Sequence, residues 1–392
     1  MEKSKVPFLR GILTRSLVKA GLSFDAAYEI ADRIRDEIGS DKEITTDDLK
    51  TLVKKQLKNA GEKEVMRRYI AGATGYIPVR IIDRDGIPRP FSKGLLANSL
   101  EICSLPNERM FAITRGIERY LLETGVKEIK SLELASITYK YLVDEESAEM
   151  ARRYLTWRQY LRSERPLLIL IGGTTGCGKS TISSEIAHRL NIVRTQSTDM
   201  LREVMRLMIP ERLLPTLHTS SFNSWEAIPS WKGQPTRLDT HFEQGYLAQA
   251  GHVGIGIEGV LQRADRERVS LIVEGVHIHP RLQRSLVDTV DAIVVPIVLA
   301  VVKKKRLREQ LQGRGKRAVS RRAERYLEHF DAIWRLQDFM LAEADRYDIP
   351  VVPNDEQEET IKLVMDEISD ALTEEYSGDE GWLVESKDAS AG

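Results

Sequence analysis

Cysteine is scarce in this chain of 392 residues, which holds only Cys103 and Cys177. Two thiols cannot build a disulfide framework or a multi-cysteine metal site. An excess charge of one sign is also missing: 58 Lys and Arg stand against 59 Asp and Glu. A protein that binds nucleic acid over its surface carries a large basic excess, so no nucleic-acid partner is expected. Long apolar runs are absent. The longest, Ala292 to Val302, is interrupted by Pro296 and is far too short to span a bilayer. Met1-Glu-Lys-Ser-Lys-Val-Pro7 has no apolar signal region, so the expected compartment is the cytoplasm, with no membrane partner. What is present is ordinary for a soluble protein with a full core, 42% hydrophobic and 30% charged residues. At roughly 150 residues per domain, two or three domains are expected.

The first 155 residues contain a duplication. Pro7-Phe8-Leu9-Arg10-Gly11 aligns with Pro90-Phe91-Ser92-Lys93-Gly94, an offset of 83 that also carries Leu17 onto Leu100, Leu22 onto Leu105, Tyr28 onto Phe111, Ile30 onto Ile113, Ile34 onto Ile117 and Ile38 onto Leu121. Arg67-Arg-Tyr-Ile70 matches Arg152-Arg-Tyr-Leu155 at an offset of 85, which implies a two-residue insertion. The recurring apolar positions fall mostly at helical spacing, so each copy reads as a small helical module. Tyr76 to Arg89 reads as a β-hairpin, with Val79-Arg-Ile-Ile82 as a strand and Asp85-Gly86 as its turn signal. Hairpin, Pro-Phe and a helical run together resemble the ATP-cone, a small nucleotide-binding regulatory module. Little chain precedes Pro7, so the first hairpin is expected to be absent or truncated. Packing or dimerisation without a ligand is the competing reading of both copies, and they are the expected surface for any homo-oligomer.

After Arg165-Pro166 the pattern changes. Leu167-Leu-Ile-Leu-Ile171 is a short, wholly apolar run of the kind buried on both faces of a parallel sheet. It leads into Gly172-Gly173-Thr174-Thr175-Gly176-Cys177-Gly178-Lys179-Ser180-Thr181, followed by an amphipathic helical run with Ile182, Ile186 and Leu190. Strand, G-x-x-x-x-G-K-[ST] and helix form the context of a P-loop. Glycines 173, 176 and 178 let backbone N–H groups converge on phosphate oxygens, and the helix start adds partial positive charge. Lys179 is expected to reach the β- and γ-phosphates and Ser180 to offer its hydroxyl to Mg²⁺. Thr174, Thr175, Cys177 and Thr181 complete the expected ATP contacts. Cys177 has no general base beside it and reads as a small loop residue.

Further candidates follow along the chain. Ile192-Val193 reads as a second strand, ahead of Ser197-Thr-Asp-Met-Leu-Arg202. This run resembles the junction over the acceptor site of nucleoside-monophosphate kinases. There Asp199 would orient the acceptor hydroxyl, or simply cap the helix, and Arg202 would hold an acceptor anion or form a surface ion pair. Ile209 to Pro235, with prolines, Trp225 and Trp231, is a long irregular insertion suited to capping a site. Within it His218, Thr219, Ser220 and Ser221 are candidate substrate donors. Glycines 251, 254, 256 and 259 are expected where a helix packs closely on the sheet. The strand Val269 to Glu274 ends in an acid before Gly275, making Glu274 the second magnesium candidate. His277 and His279 read as ordinary loop histidines. Ala292 to Leu299 reads as a fourth strand. Lys303 to Arg325 carries 11 basic residues against Glu309 and Glu324, without interleaved aromatics. It resembles the lid of a phosphotransferase, hinged at Gly313-Arg314-Gly315, with Arg306 and Arg314 as its catalytic candidates. Asp348 to Asn354 reads as a fifth strand with Asn354 near adenine. Residues 355 to 392 carry 13 acids against two lysines; a helix to about Leu372 and a disordered acidic tail are expected.

The runs Pro90 to Gly94, Ile171 to Ser180, Ser197 to Arg202, Leu217-His-Thr-Ser-Ser221 and Val273-Glu-Gly-Val-His277 together resemble the archaeal-type 2-phosphoglycerate kinase family. The resemblance implies an α/β, P-loop, nucleoside-monophosphate-kinase-like parallel sheet behind a mainly helical, duplicated ATP-cone-like region. The expected layout is one module at 1–75, a second at 76–160, a kinase domain at 161–372 and the tail at 373–392. It further implies transfer of the γ-phosphate of ATP to the hydroxyl of 2-phosphoglycerate, giving 2,3-bisphosphoglycerate, with a small phosphorylated acid as partner. A kinase of another acceptor such as an inositol phosphate, and a non-catalytic ATP-sensing regulator, are the alternatives.

Overall fold

The computed structural model describes residues 6–8, 10–38, 43–72, 79–228, 238–287, 290–317, 321–379 and 381–383. Contacts divide the chain into two compact units, residues 1–91 with 124–129, and residues 92–123 with 130–392.

In the first unit, strand β1 (Val6–Pro7), helices α1 (Arg10–Lys19) and α2 (Phe24–Ile38), strand β2 (Glu43–Ile44) and helices α3 (Thr46–Asn59) and α4 (Lys63–Gly72) follow in order. Leu13, Leu17, Ala27, Ile30, Ile34, Val53 and Leu57 form their core. Strands β3 (Arg80–Ile82) and β4 (Pro88–Pro90) make the expected antiparallel hairpin, turning at Gly86, whose φ of 69° suits glycine. Residues 76–78 of that expectation lie outside the described residues.

The chain continues as α5 (Lys93–Leu100), α6 (Asn107–Glu123), β5 (Glu128–Lys130), α7 (Ser131–Glu145) and α8 (Ala148–Tyr160). Strand β5 completes a three-stranded sheet in the order β4-β3-β5. Helices α1 and α2 recur as α5 and α6, and α3 and α4 as α7 and α8. Burial repeats with them: Leu17 and Leu100 are buried, as are Ile34 and Ile117, whereas Tyr28 and Phe111 both face outward. Among the described residues of the first copy, β1 pairs antiparallel with β2.

Helices α5 to α8 belong to the same unit as a five-stranded parallel sheet. Its elements are β6 (Leu167–Gly172), α9 (Lys179–Arg189), β7 (Arg194–Ser197), α10 (Thr198–Met208), two 3-10 segments (Pro215–His218 and Ser221–Ala227), α11 (Leu238–Arg266), β8 (Leu271–Glu274), α12 (Pro280–Val287), β9 (Ile293–Ala300), α13 (Lys304–Arg317), α14 (Arg321–Glu328), α15 (Phe330–Arg346), β10 (Val351–Pro353) and α16 (Gln357–Glu375). The strand order is β10-β9-β6-β8-β7, and each neighbouring pair runs parallel. Every residue of the central β6 is buried, which at roughly 2 kcal/mol per large aliphatic side chain makes this strand the anchor of the core. Its carboxyl end therefore sits at the middle of the sheet edge, where open α/β sheets bind ligands.

Four expectations change. The second strand begins at Arg194 rather than Ile192, because Val193 is 90% exposed and only Ile192 turns inward. Among the four singled-out glycines of α11, Gly251 and Gly259 have open space; the close approach is at Gly245, where a Cβ would lie 2.3 Å from the Trp225 backbone. Helix α13 runs unbroken through Gly313-Arg314-Gly315, so the backbone has no hinge there. Residues 376–379, expected within a disordered tail, are seated on α8, where Arg152 Nε donates to Ser377 O (2.9 Å) and Gly378 N–H donates to Gln159 Oε1 (3.0 Å), and Leu383 is buried; residue 380 and residues 384–392 of that tail lie outside the described residues. No helix among the described residues is long and apolar enough to cross a membrane.

Candidate active site

The glycine loop leaves the end of β6 and enters α9. Gly173, Gly176 and Gly178 adopt φ values of 140°, 91° and 90°, a region that L side chains rarely enter. Space alone would also exclude a side chain: a Cβ on Gly173 would sit 2.4 Å from Leu299 O, and one on Gly178 2.1 Å from Asn354 Nδ2. The loop is braced from outside. Asn354 Nδ2 donates to Cys177 O at 2.7 Å while its Oδ1 accepts from Thr360 Oγ1 at 3.1 Å. Thr174 Oγ1 donates to Ile333 O (3.3 Å). Asn354 thus supports the loop, besides lining the adjoining cavity. Cys177 is fully buried and serves packing.

Lys179 is 6% exposed, and its Nζ donates to Thr174 O at 2.8 Å, a backbone contact that an arriving phosphate would replace. Ser180 Oγ donates to Glu274 Oε1 at 3.0 Å. These two hard oxygen donors, 94 residues apart in sequence, meet at the sheet edge and suit Mg²⁺ completed by phosphate oxygens and water. A cavity of about 430 Å³ opens beside the loop, lined by Gly176, Gly178, Ser180, Arg306, Gln310 and Asn354 among others. Arg306 and Gln310 stand one turn apart on α13, so that helix covers the phosphate side. The buried Arg306 Nε has no hydrogen-bond partner among the described residues, as befits a donor awaiting an anion. Arg314 lies on the same helix; its side chain lies outside the described residues.

The acceptor candidates lie across the sheet edge. Ser197 is paired in register with Glu274 and occupies the N-cap of α10, so Asp199 does not cap the helix. Its side chain is 70% exposed, with Oδ1 3.9 Å from His277 Nδ1, one strand away from the Ser180–Glu274 pair. Arg202 Nη2 forms the surface ion pair with Glu203 Oε1 (3.4 Å), one of its two expected roles, and its Nη1 also donates to Leu217 O (3.2 Å) and to Thr219 O, which fastens the loop at 216–221. The loop's own polar groups are also engaged. His218 Nε2 donates to Ile209 O (2.9 Å), Thr219 Oγ1 donates to Thr216 O (3.0 Å), Ser220 Oγ accepts from Arg325 Nη2 (3.0 Å), and Ser221 is buried. Neither histidine after β8 is an ordinary loop residue. His277 and His279 are buried, and burial pushes each imidazole down to about 4. Sequence reading missed Gln249, and named Gly275 only as the residue after an acid and Arg325 only as part of a basic run. Only the Glu-Gly-x-His spacing hinted at His277.

The family model described as "ATP cone domain" matches residues 2–72 and again 79–162. A "2-phosphoglycerate kinase" of Pyrococcus furiosus is 36% identical over 300 residues, covering 76% of this chain and 95% of that one. One from Pyrococcus horikoshii is 33% identical, covering 76% and 97%; one from Methanopyrus kandleri is 37% identical, covering 72% and 85%. This chain belongs to the 2-phosphoglycerate kinase family. As a member of the 2-phosphoglycerate kinase family it is a P-loop kinase with a doubled ATP-cone at its front.

Proposed function

We propose that this enzyme transfers the γ-phosphoryl group of ATP to the free hydroxyl of 2-phosphoglycerate, giving ADP and 2,3-bisphosphoglycerate. The observation that carries the reading is the meeting of Ser180 and Glu274 at the mouth of a glycine loop whose lysine is already turned inward. The named activity of the relatives supplies the acceptor.

The loop amides of residues 173–181 hold the triphosphate, and Lys179 exchanges Thr174 O for phosphate oxygens. Magnesium held by Ser180 and Glu274 would offset charge on the β- and γ-oxygens. Asp199 orients the acceptor hydroxyl and takes its proton as the acceptor oxygen bonds to the γ-phosphorus. The bridging bond breaks and its electron pair leaves with ADP. Arg306 on α13 balances charge on the transferring group, and Arg314 is a second candidate on that helix. Thr219 to Ser221 enclose the acceptor, with Arg202 holding their backbone in place. Most of the barrier is lowered by positioning and preorganised charge.

The test is ADP release with ATP, Mg²⁺ and a panel of phosphorylated acids. Release should depend on 2-phosphoglycerate, and Lys179→Ala should lower kcat more than about 100-fold with an unchanged circular dichroism spectrum. Tight ATP binding without acceptor-dependent release would instead favour a sensor, and undiminished turnover in the variant would remove Lys179 from the mechanism.

A further inference from the structure

We propose that Gln249 and His277 are positioning residues: they fix the acceptor loop against the phosphate loop through a closed ring of buried and part-buried hydrogen bonds. The idea rests on the reading that the loop at 216–221 holds the acceptor.

Gln249 is 0% exposed and His277 1%. The amide nitrogen of Gln249 donates to Thr216 O and to Thr219 O (3.1 Å). Its Oε1 must then face the imidazole, 3.2 Å from His277 Nε2. That assigns the proton to Nε2 and leaves Nδ1 to accept from Thr198 Oγ1 at 2.9 Å. Thr198 opens α10, the helix that carries Arg202, and Arg202 Nη1 returns to Thr219 O. The ring therefore runs from α10 to His277, to Gln249, to the loop and back to α10.

The ring is tied to the phosphate side. His277 lies three residues after Glu274 in sequence. Gly275 N–H donates to Ile171 O (3.0 Å), and Tyr246 Oη, one turn before Gln249 on α11, donates to Val276 O (2.8 Å). Gly275 has φ 156° and would place a Cβ 1.8 Å from Thr198 Oγ1, so its bare backbone is what admits Thr198. Loop carbonyls at 216 and 219 are held by side chains from α10 and α11, and buried amides used this way set geometry more than they add affinity. Packing alone would be served equally by an apolar residue of the same volume.

Gln249→Met keeps the volume and removes the ring. Two readouts are taken on the full chain. Amide exchange across residues 214–222 should accelerate about tenfold, with residues 172–181 unaltered. KM for 2-phosphoglycerate should rise about tenfold, with KM for ATP changed less than about twofold. His277→Asn, which retains an acceptor for Thr198 but releases Gln249, should show the same pattern and serves if Gln249→Met does not fold. Unchanged exchange in the loop overturns the proposal, as does faster exchange with unaltered KM or with both KM values raised alike. If the wild-type enzyme releases no ADP with 2-phosphoglycerate, the acceptor reading fails, and the exchange measurement still decides whether the ring holds the loop.

Discussion

His279 is enclosed by the rings of Tyr246, Phe339 and Tyr347. Its Nδ1 accepts from the Arg281 amide (3.1 Å), and Glu343 lies 3.6 Å from Nε2. Burial and the nearby Arg281 charge push it down to about 4. His277, lowered to about 4 by burial, faces Asp199, Arg202 and Lys179. An unfolded imidazole titrates near about 6.5, so as pH falls through that value the unfolded chain takes up protons that the folded chain refuses. The contribution is complete above pH 6.5 and is lost between there and pH 4, roughly 2 kcal/mol per imidazole at pH 5. His279→Phe should therefore lose less stability than the wild type between pH 7.5 and pH 5 in denaturant titrations. Equal losses would show that this imidazole is not held neutral by the fold. The roles of these histidines were hidden in the sequence because their partners, Gln249 and Glu343, are 28 and 64 residues distant along the chain. The glycine loop, by contrast, was readable residue by residue, since its chemistry is carried by consecutive backbone amides.

At the level of elements, β6, β8, β9, β10, the hairpin and α9 could be read because their signals are local: an apolar run for β6, a 3.6-residue period for α9, Asp-Gly for the hairpin. The misreadings came where an element answers to a distant surface. Gly245 is required by the Trp225 backbone and not by the sheet. The α13 segment stays helical through two glycines because Leu307 and Leu311 are fully buried and hold one face down. Gly275, the turn that joins β8 to the acceptor side, meets both tests for an obligatory glycine, a positive φ and no room. Gly275→Ala should cost at least about 3 kcal/mol in denaturant-monitored unfolding and weaken turnover with it. A loss below about 1 kcal/mol would mean that Thr198 is free to shift, and the register between Ser197 and Glu274 with it.

Across the larger compact unit, the second copy of the duplication and the kinase sheet are not linked merely by sequence order. Helix α8, the last of the second copy, belongs to the same compact unit as the sheet. Arg153 on α8 is paired with Asp366 on α16, and Arg165 with Glu375 (2.6 Å). Asp366 lies within the expected helix, whereas Glu375 lies three residues past its expected end near Leu372 and has its arginine partner 210 residues upstream, which no local reading reveals. Arg153→Met leaves the part-buried Asp366 unpaired and should lower stability by about 2 kcal/mol while the unfolding of the unit stays a single transition. Two separated transitions would show that α5 to α8 fold apart from the sheet. The central claim is phosphoryl transfer to a specific hydroxyl, and ³¹P NMR of the full chain with ATP, Mg²⁺ and 2-phosphoglycerate reads it directly. ADP and a doubly phosphorylated glycerate should grow in equal amounts as ATP disappears; ATP left intact, or inorganic phosphate as the only new resonance beside ADP, would contradict the account.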